Sequence, residues 1–377
     1  MVGFFFHTEG QTFDPFIQNH VDELTYDSVY SRLQSFEDLG IKEVGSDALD
    51  ETRDWIINLY QQWGYTDIEI DSFNYGQPMV HNIIVTKTGT LYPDTYLIVD
   101  GHYDTYNGPG VNDNGSGTTV VLEIARMMKN LETAYSIKFI HFTMEEMGLV
   151  GSTHYVENTV IPQNLDIRLV FNIDEVGGVA GEVNNTITCE RDEWPPNGNN
   201  AASAAFTDTL ANLTELYTTL NTSISYAYGS DYVPFMNNGY IVTGFYEYNE
   251  SPYPHSINDS LANLDPEYVY EVTRASLAAS MYFSGASEIN IGITDFNENS
   301  YEFHITPNPF VSFFEVNNRH PFSCSMEILN IHGEALKKFS LKPESVTRII
   351  PNMTQGIYLY RILYHDEMLV SGKLLKK

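Results

Sequence analysis

From about residue 15 the apolar positions recur at helical spacing. The stretches DELTYDSVYSRLQSFEDLG and SDALDETRDWIINLYQQWG each carry such a stripe, and Gly40 and Gly64 stand where each helix would stop. Ser46 or Asp47 is placed to cap the second. The pattern then changes to period two in DIEIDSF and HNIIVTKTG, which marks strands with one buried face, and to an unbroken apolar run in DTYLIVDGH, which marks a strand buried on both faces. Helical spacing returns in GSGTTVVLEIARMMKNL, NNAASAAFTDTLANLTELY and DPEYVYEVTRASLAASMYFS, while SIKFIHFTMEE, IRLVFNIDEVGG and YIVTGFYEY read as strands between and after them. Strands separated by helices need crossover connections, so the sequence predicts an α/β fold with a mostly parallel mixed sheet flanked by helices.

Past residue 288 the texture changes. YEFHITPNPF, FFEVNN, SMEILNIHGEALKKFSL and GIYLYRILYHDEMLVSGKLLKK are short strands punctuated by Asn, Pro and Gly, as in a small antiparallel β-sandwich. The expected division is an N-terminal extension over 1–19, an α/β domain over 20–287 and an all-β C-terminal domain over 288–377, with ASEINIGITDFNENS as the linker. A chain of 377 residues exceeds what one hydrophobic core serves, which agrees with two domains. NNTITCERDEWPPNGNN, with Trp194, two prolines and several asparagines, reads as a surface loop.

Composition narrows the function. With 42% apolar and 18% charged residues the chain has the makeup of a folded protein, and no run reaches the roughly 20 apolar residues of a membrane span. Nine of the 19 basic and nine of the 50 acidic residues fall in 291–377, so the net charge of -31 belongs to the residues before them. Such a field repels phosphate backbones and argues against nucleic acid as a partner; cations and amines are favoured. Two cysteines, Cys189 and Cys324, are too few for a disulfide framework or a thiolate metal site.

The chemistry gathers where buried strands end. His102 and Asp104 follow TYLIVDG, Glu145 and Glu146 follow IKFIHFTM, and Asp174 follows IRLVFNI; the strand ends of an open parallel sheet form its ligand-binding edge, so these groups converge. Convergent carboxylates repel each other unless a multivalent cation neutralises them. Histidine with carboxylates and no thiolate suits zinc, and several acids able to bridge suit two metal ions. Glu145 and Glu146, adjacent in extended chain, are expected to point in opposite directions, one toward a metal and the other toward a water. Asp104, two residues past His102, lies on its side of the segment and is expected to brace the imidazole. His141 and His154 lack such company and read as structural.

GHYDTY, GVNDNGSG, MEEMGLVGS, FNIDEVG and YPHSINDSLANLD, in this order within residues 20–285, resemble the ligand-bearing segments of the di-zinc aminopeptidase family that includes aminopeptidase Y and the bacterial leucyl aminopeptidases. The resemblance implies the zinc-exopeptidase, phosphorylase/hydrolase-like fold and two Zn ions. It makes His102 and Asp174 ligands of one ion, Glu146 and His255 ligands of the other, Asp113 the bridge and Glu145 the general base, with Asp104 orienting His102. Tyr253, just before His255, is the counterpart of a tyrosine that donates to the oxyanion in some relatives. GSDYVPF resembles the family's cleft-lining Ser-Asp-His-x-x-Phe stretch, with Tyr232 in place of histidine. The substrate implied is a peptide or protein, cut at its N-terminal residue. The alternative is a glutaminyl cyclase-like acyltransferase with one zinc held by Asp113, Glu146 and His255; its usual Trp before the last histidine is here Pro254. A non-catalytic binding module, as in transferrin-receptor ectodomains, is a third reading.

ITPNPF, MEILNIHGEAL, QGIYLYRI and VSGKLLKK resemble the C-terminal sorting domain of type IX secretion cargo. That resemblance implies the secretion machinery as a partner and a secreted or cell-surface location, with a signal peptide expected ahead of MVGFFF. The alternative for this domain is an adhesive or carbohydrate-binding sandwich.

Overall fold

The computed structural model describes residues 11–76, 78–287, 303–330, 335–364 and 367–377. The MVGFFF segment, and the linker from residue 288 to 300, lie outside the described residues. The chain divides into two compact units at residue 288/289.

The first unit opens with α1 (Pro15–Glu23), α2 (Tyr26–Asp38) and α3 (Asp47–Gln62). The single helix expected from Asp22 to Gly40 is two, because Leu24 is extended and Thr25 caps α2 by accepting the Ser28 N–H at 3.3 Å. Ser46 caps α3 through Leu49 N–H at 3.1 Å. Ile17 and Val21 of α1 lie in the main core, so this helix belongs to the α/β unit and crosses the boundary expected at residue 20.

The chain continues through β1 (Ile68–Asn74), β2 (Met79–Lys87), β3 (Tyr92–His102), α4 (Gly115–Met128), the short β4 (Glu132–Thr133), β5 (Tyr135–Phe142) and α5 (Val150–Tyr155), which runs by a π turn into α6 (Ile161–Gln163). Then come β6 (Asp166–Ile173), β7 (Thr186–Arg191), α7 (Asn200–Tyr217), β8 (Asn221–Tyr226), α8 (Val233–Asn237), β9 (Val242–Glu247), α9 (Pro266–Ser284) and β10 (Ala286–Ser287), which pairs with β4. The main sheet has eight strands in the order β1-β2-β5-β3-β6-β9-β7-β8. Its centre, β5-β3-β6-β9, is parallel, while β2, β7 and β8 run against it, so four carboxyl ends meet at one edge. Along β3, Leu97 and Val99 enter the core under α2, α4 and α9 while Ile98 enters the one beneath α5 and α8, which is why this run is apolar without alternation.

The expected surface loop at NNTITCERDEWPPNGNN begins as a strand, β7, over six of its residues. Ile187 and Cys189 of β7 are fully buried and the strand pairs with both β8 and β9. Its short alternation was masked by the flanking Asn, Pro and Gly.

The second unit contains β11 (Phe303–Thr306), β12 (Phe314–Asn318), β13 (Cys324–Leu329), β14 (Ala335–Leu341), β15 (Ser345–Ile349), β16 (Gly356–Tyr364) and β17 (Glu367–Lys376). They form two antiparallel sheets, β11-β12-β15 and β14-β13-β16-β17, around Phe310, Phe314, Val316, Met326, Ile328, Ile362 and Leu374.

Candidate metal centre

Three parallel strands deliver three of the predicted groups: His102 closes β3, the Glu145–Glu146 pair follows β5 and Asp174 follows β6. Asp113 arrives on the loop before α4, and His255 on the loop after β9. The loop of Asp113 is fixed from both sides. Asp259 accepts the N–H groups of Asn112 and Asp113 at 2.7 and 3.0 Å, and Asn112 Nδ2 donates to Glu247 at 3.1 Å. Asn114 caps α4 by accepting from Gly117 N–H at 2.8 Å and donates to the Ile173 carbonyl at 2.9 Å, tying this loop to the strand end that carries Asp174. Gly117 is required there, because a Cβ would lie 2.1 Å from the Ile173 oxygen.

These elements bring five side chains into two triads that share one residue: His102, Asp113 and Asp174, and Asp113, Glu146 and His255, each with its ligand atoms within 4.8 Å of one another. Asp113 Oδ1 is 3.3 Å from His102 Nε2, and its Oδ2 is 3.3 Å from His255 Nε2. Asp174 Oδ1 lies 3.3 Å from His102 Nε2, and Glu146 Oε2 lies 2.8 Å from His255 Nε2.

The donor set fits divalent cations. His102 Nε2, Asp174 Oδ1 and Glu146 Oε1 are buried yet have no hydrogen-bond partner. Buried polar atoms are rarely left so, and a cation among His102, Asp113 and Asp174 would satisfy His102 Nε2 and Asp174 Oδ1. The imidazole of His102 is oriented through its other nitrogen: Nδ1 meets the Asp104 carbonyl at 3.1 Å, so a proton on Nδ1 leaves the Nε2 lone pair for a metal. Ser230 Oγ donates to Asp174 Oδ2 at 2.6 Å, which leaves Oδ1 as the free ligand atom.

Electrostatics ask for the same positive charge. Burial first, then the carboxylates of Asp174, Asp231 and Asp104, push Glu145 well above the carboxylate range. Burial and Asp113 push Glu146 up to about 8. Burial works against charge on His102, but Asp174 and Glu145 outweigh it and hold the imidazole well above its usual value. The hydrogen bond His255 donates to Asp113 and the charge of Glu146 raise His255 to about 9 against burial; Asp113, despite burial, is held at about 2 by the two histidines. Protons on these groups and a pair of cations answer the same deficit.

Several expectations change in detail. Glu145 and Glu146 diverge because they enter a turn after Met144, whose φ is 62°, and not because the chain is extended. Glu145 Oε2 lies 4.0 Å from His102 Nε2 and belongs to neither triad. Asp104 braces His102 chiefly through its carbonyl; the carboxylate is 3.6 Å from Nδ1 and accepts instead from Glu145 and Glu146 N–H at 3.1 and 3.3 Å. Tyr232 does not line the cleft: it is buried, and its hydroxyl donates to Glu190 at 2.6 Å. Tyr253 stabilises the turn before His255, its carbonyl accepting from Ser256 Oγ at 2.7 Å. His141 is a buried partner of Tyr60, 2.9 Å away, and His154 pairs with Asp71 at 3.3 Å. Sequence reading missed Asn112, Ser230 and Asp259, whose contacts are long-range; Asp259 stood unread inside the YPHSINDSLANLD segment.

Comparison with known proteins places these residues in context. The family model described as peptidase family M28 matches residues 82–280. The chain is 32% identical over 197 residues to the aminopeptidase YwaD of Bacillus subtilis (strain 168), a match covering 49% of this chain and 41% of that protein. It therefore spans less than half the length of this curated relative. Among solved structures, the LapA aminopeptidase of Legionella pneumophila superposes with a TM-score of 0.64 at 19% identity, covering 76% of this chain and 78% of that one. The glutaminyl cyclase of Macrostomum lignano does so with a TM-score of 0.64 at 16% identity, covering 76% and 98%. At these identities the two structures speak for the fold alone.

Proposed function

Because the chain belongs to peptidase family M28, we propose that it is a zinc aminopeptidase with two Zn ions, releasing the N-terminal residue of peptides or proteins. One observation carries this reading: Asp113 offers one oxygen to His102 and the other to His255, so two complete ligand triads exist side by side. Zinc ions in these triads would polarise a scissile carbonyl and acidify a water between them. Glu145, outside both triads and held at the site by the Asp104 bond to its N–H, takes the proton of the attacking water and returns it to the departing amine. Tyr253 is the candidate donor to the oxyanion.

The glutaminyl cyclase alternative, whose fold is shared, uses one ion and leaves the His102–Asp113–Asp174 triad without a task. Product analysis separates them. The zinc-loaded protein is expected to release free amino acid from aminoacyl amides and short peptides, to stop on chelation and to recover when zinc returns. Ammonia release from glutaminyl peptides with no free amino acid, or indifference to chelators, would contradict the proposal.

The C-terminal unit is proposed to be a type IX sorting domain that meets the secretion machinery and carries the protein to the cell surface or beyond. Its support is the resemblance of ITPNPF, MEILNIHGEAL, QGIYLYRI and VSGKLLKK, on a fold of two antiparallel sheets. Residues 286–377 fused to a periplasmic reporter are expected to take it across the outer membrane of a host with that pathway; a reporter retained in the periplasm would count against the assignment.

A further inference from the structure

Glu175 follows the ligand Asp174 and is used by neither triad. Its backbone is left-handed, with φ of 42°, and is pinned by its N–H to Asn114 Oδ1 at 3.3 Å and by its carbonyl, which accepts from Glu247 N–H at 2.8 Å. The carboxylate receives only the Tyr246 hydroxyl, at a long 3.4 Å, and no Lys or Arg pairs with it among the described residues. Glu247 differs: its carboxylate accepts from Asn112 Nδ2, Gly178 N–H and Ser251 N–H and is satisfied within the protein.

From Glu175 an aromatic row runs outward. Tyr246 and Glu175 both neighbour Tyr228, Tyr228 packs on Tyr226 with ring centres 5.8 Å apart, and Tyr226 meets Trp194 edge-on at 6.0 Å. Tyr228, Tyr226 and Trp194 are 58%, 49% and 48% exposed, so they offer ring surface to solvent. The row and the metal centre share neighbours in the chain, since Glu175 follows Asp174 and Tyr228 lies two residues before Ser230, which bonds Asp174. A wall of phenol and indole rings ending in an unpaired carboxylate matches a long cationic side chain: the methylene stem lies along the rings, the charged head also gains from the ring faces, and the carboxylate supplies the counter-charge.

We propose that Glu175, with Tyr228 and Tyr246, selects peptides whose first residue is lysine or arginine. This rests on the aminopeptidase reading above and names its substrate class. A substrate's α-amine offers a similar cation, but it has no stem to lie against the aromatic row, and the test separates the two.

The experiment compares wild type with Glu175→Gln and Tyr228→Ala, all zinc-loaded, on Lys-, Arg- and Leu-p-nitroanilides, and measures binding of L-lysinamide and L-leucinamide by calorimetry. Wild type is expected to favour Lys and Arg over Leu by tenfold or more in kcat/KM and to bind lysinamide more tightly. Glu175→Gln is expected to erase both preferences while kcat/KM for Leu stays within about threefold, and Tyr228→Ala to reduce them. Equal losses on all three substrates in Glu175→Gln would assign the carboxylate to the α-amine, and equal binding of the two amides by wild type would remove it from specificity; either overturns the proposal. Binding is read without turnover, so a protein that discriminates the amides but hydrolyses nothing would refute the aminopeptidase reading and leave the cation site standing.

Discussion

Replacing Glu145 by Gln is expected to lower kcat by about 10²- to 10⁴-fold, the usual range for a positioned acid–base group, with zinc content unchanged. The change is isosteric, so the turn after β5 keeps its shape and the Asp104 bonds to Glu145 and Glu146 N–H persist. Neither triad contains Glu145, so metal affinity has no reason to fall. What disappears is a carboxylate able to hold the water's proton, in a place where burial and neighbouring acids already favour the protonated form. Steady-state kinetics with metal analysis checks both halves; turnover within tenfold of wild type would remove Glu145 from proton transfer.

Asp113→Ala is expected to reduce bound zinc from two ions per chain to at most one, and to abolish turnover with it. The two oxygens of this side chain face different histidines, so its loss takes one ligand from each triad. The local fold has other supports: the main-chain N–H of residue 113 still reaches Asp259, and Asn114 still caps α4. The metal-free variant is therefore expected to fold but to unfold at a lower temperature than the metal-free wild type, since His102 and His255 lose the carboxylate that holds their charge. Elemental analysis beside thermal unfolding of both metal-free proteins separates ligand loss from misfolding. A full complement of zinc in the variant would exclude Asp113 as the bridge.

The legible parts of the molecule were those set by local pattern. The central strands were readable because β3 and β6 sit between two helical layers and so are apolar throughout. Once those strands were parallel, the convergence of His102, Glu146 and Asp174 followed from their places at strand ends. Asp113 and His255 sit on loops, and only the ordered resemblance of the segments joined them to the rest. What stayed hidden depends on contacts far apart in sequence. The carboxylate of Asp104 was expected at His102 alone, but a turn 41 residues later claims it. Tyr232 read as a cleft residue until Glu190, 42 residues earlier, proved to hold its hydroxyl in the interior. β7 carries too short an alternation to outweigh the loop-forming residues around it, and the break between α1 and α2 rests on one threonine cap.

The central claim is that five side chains form two adjoining metal sites bridged by Asp113. Anomalous diffraction at the zinc edge from crystals of the zinc-loaded protein tests it most directly. The account predicts two peaks roughly 3.5–4 Å apart, one among His102, Asp113 and Asp174 and the other among Asp113, Glu146 and His255. A single peak at full zinc loading, or peaks away from Asp113, would contradict it.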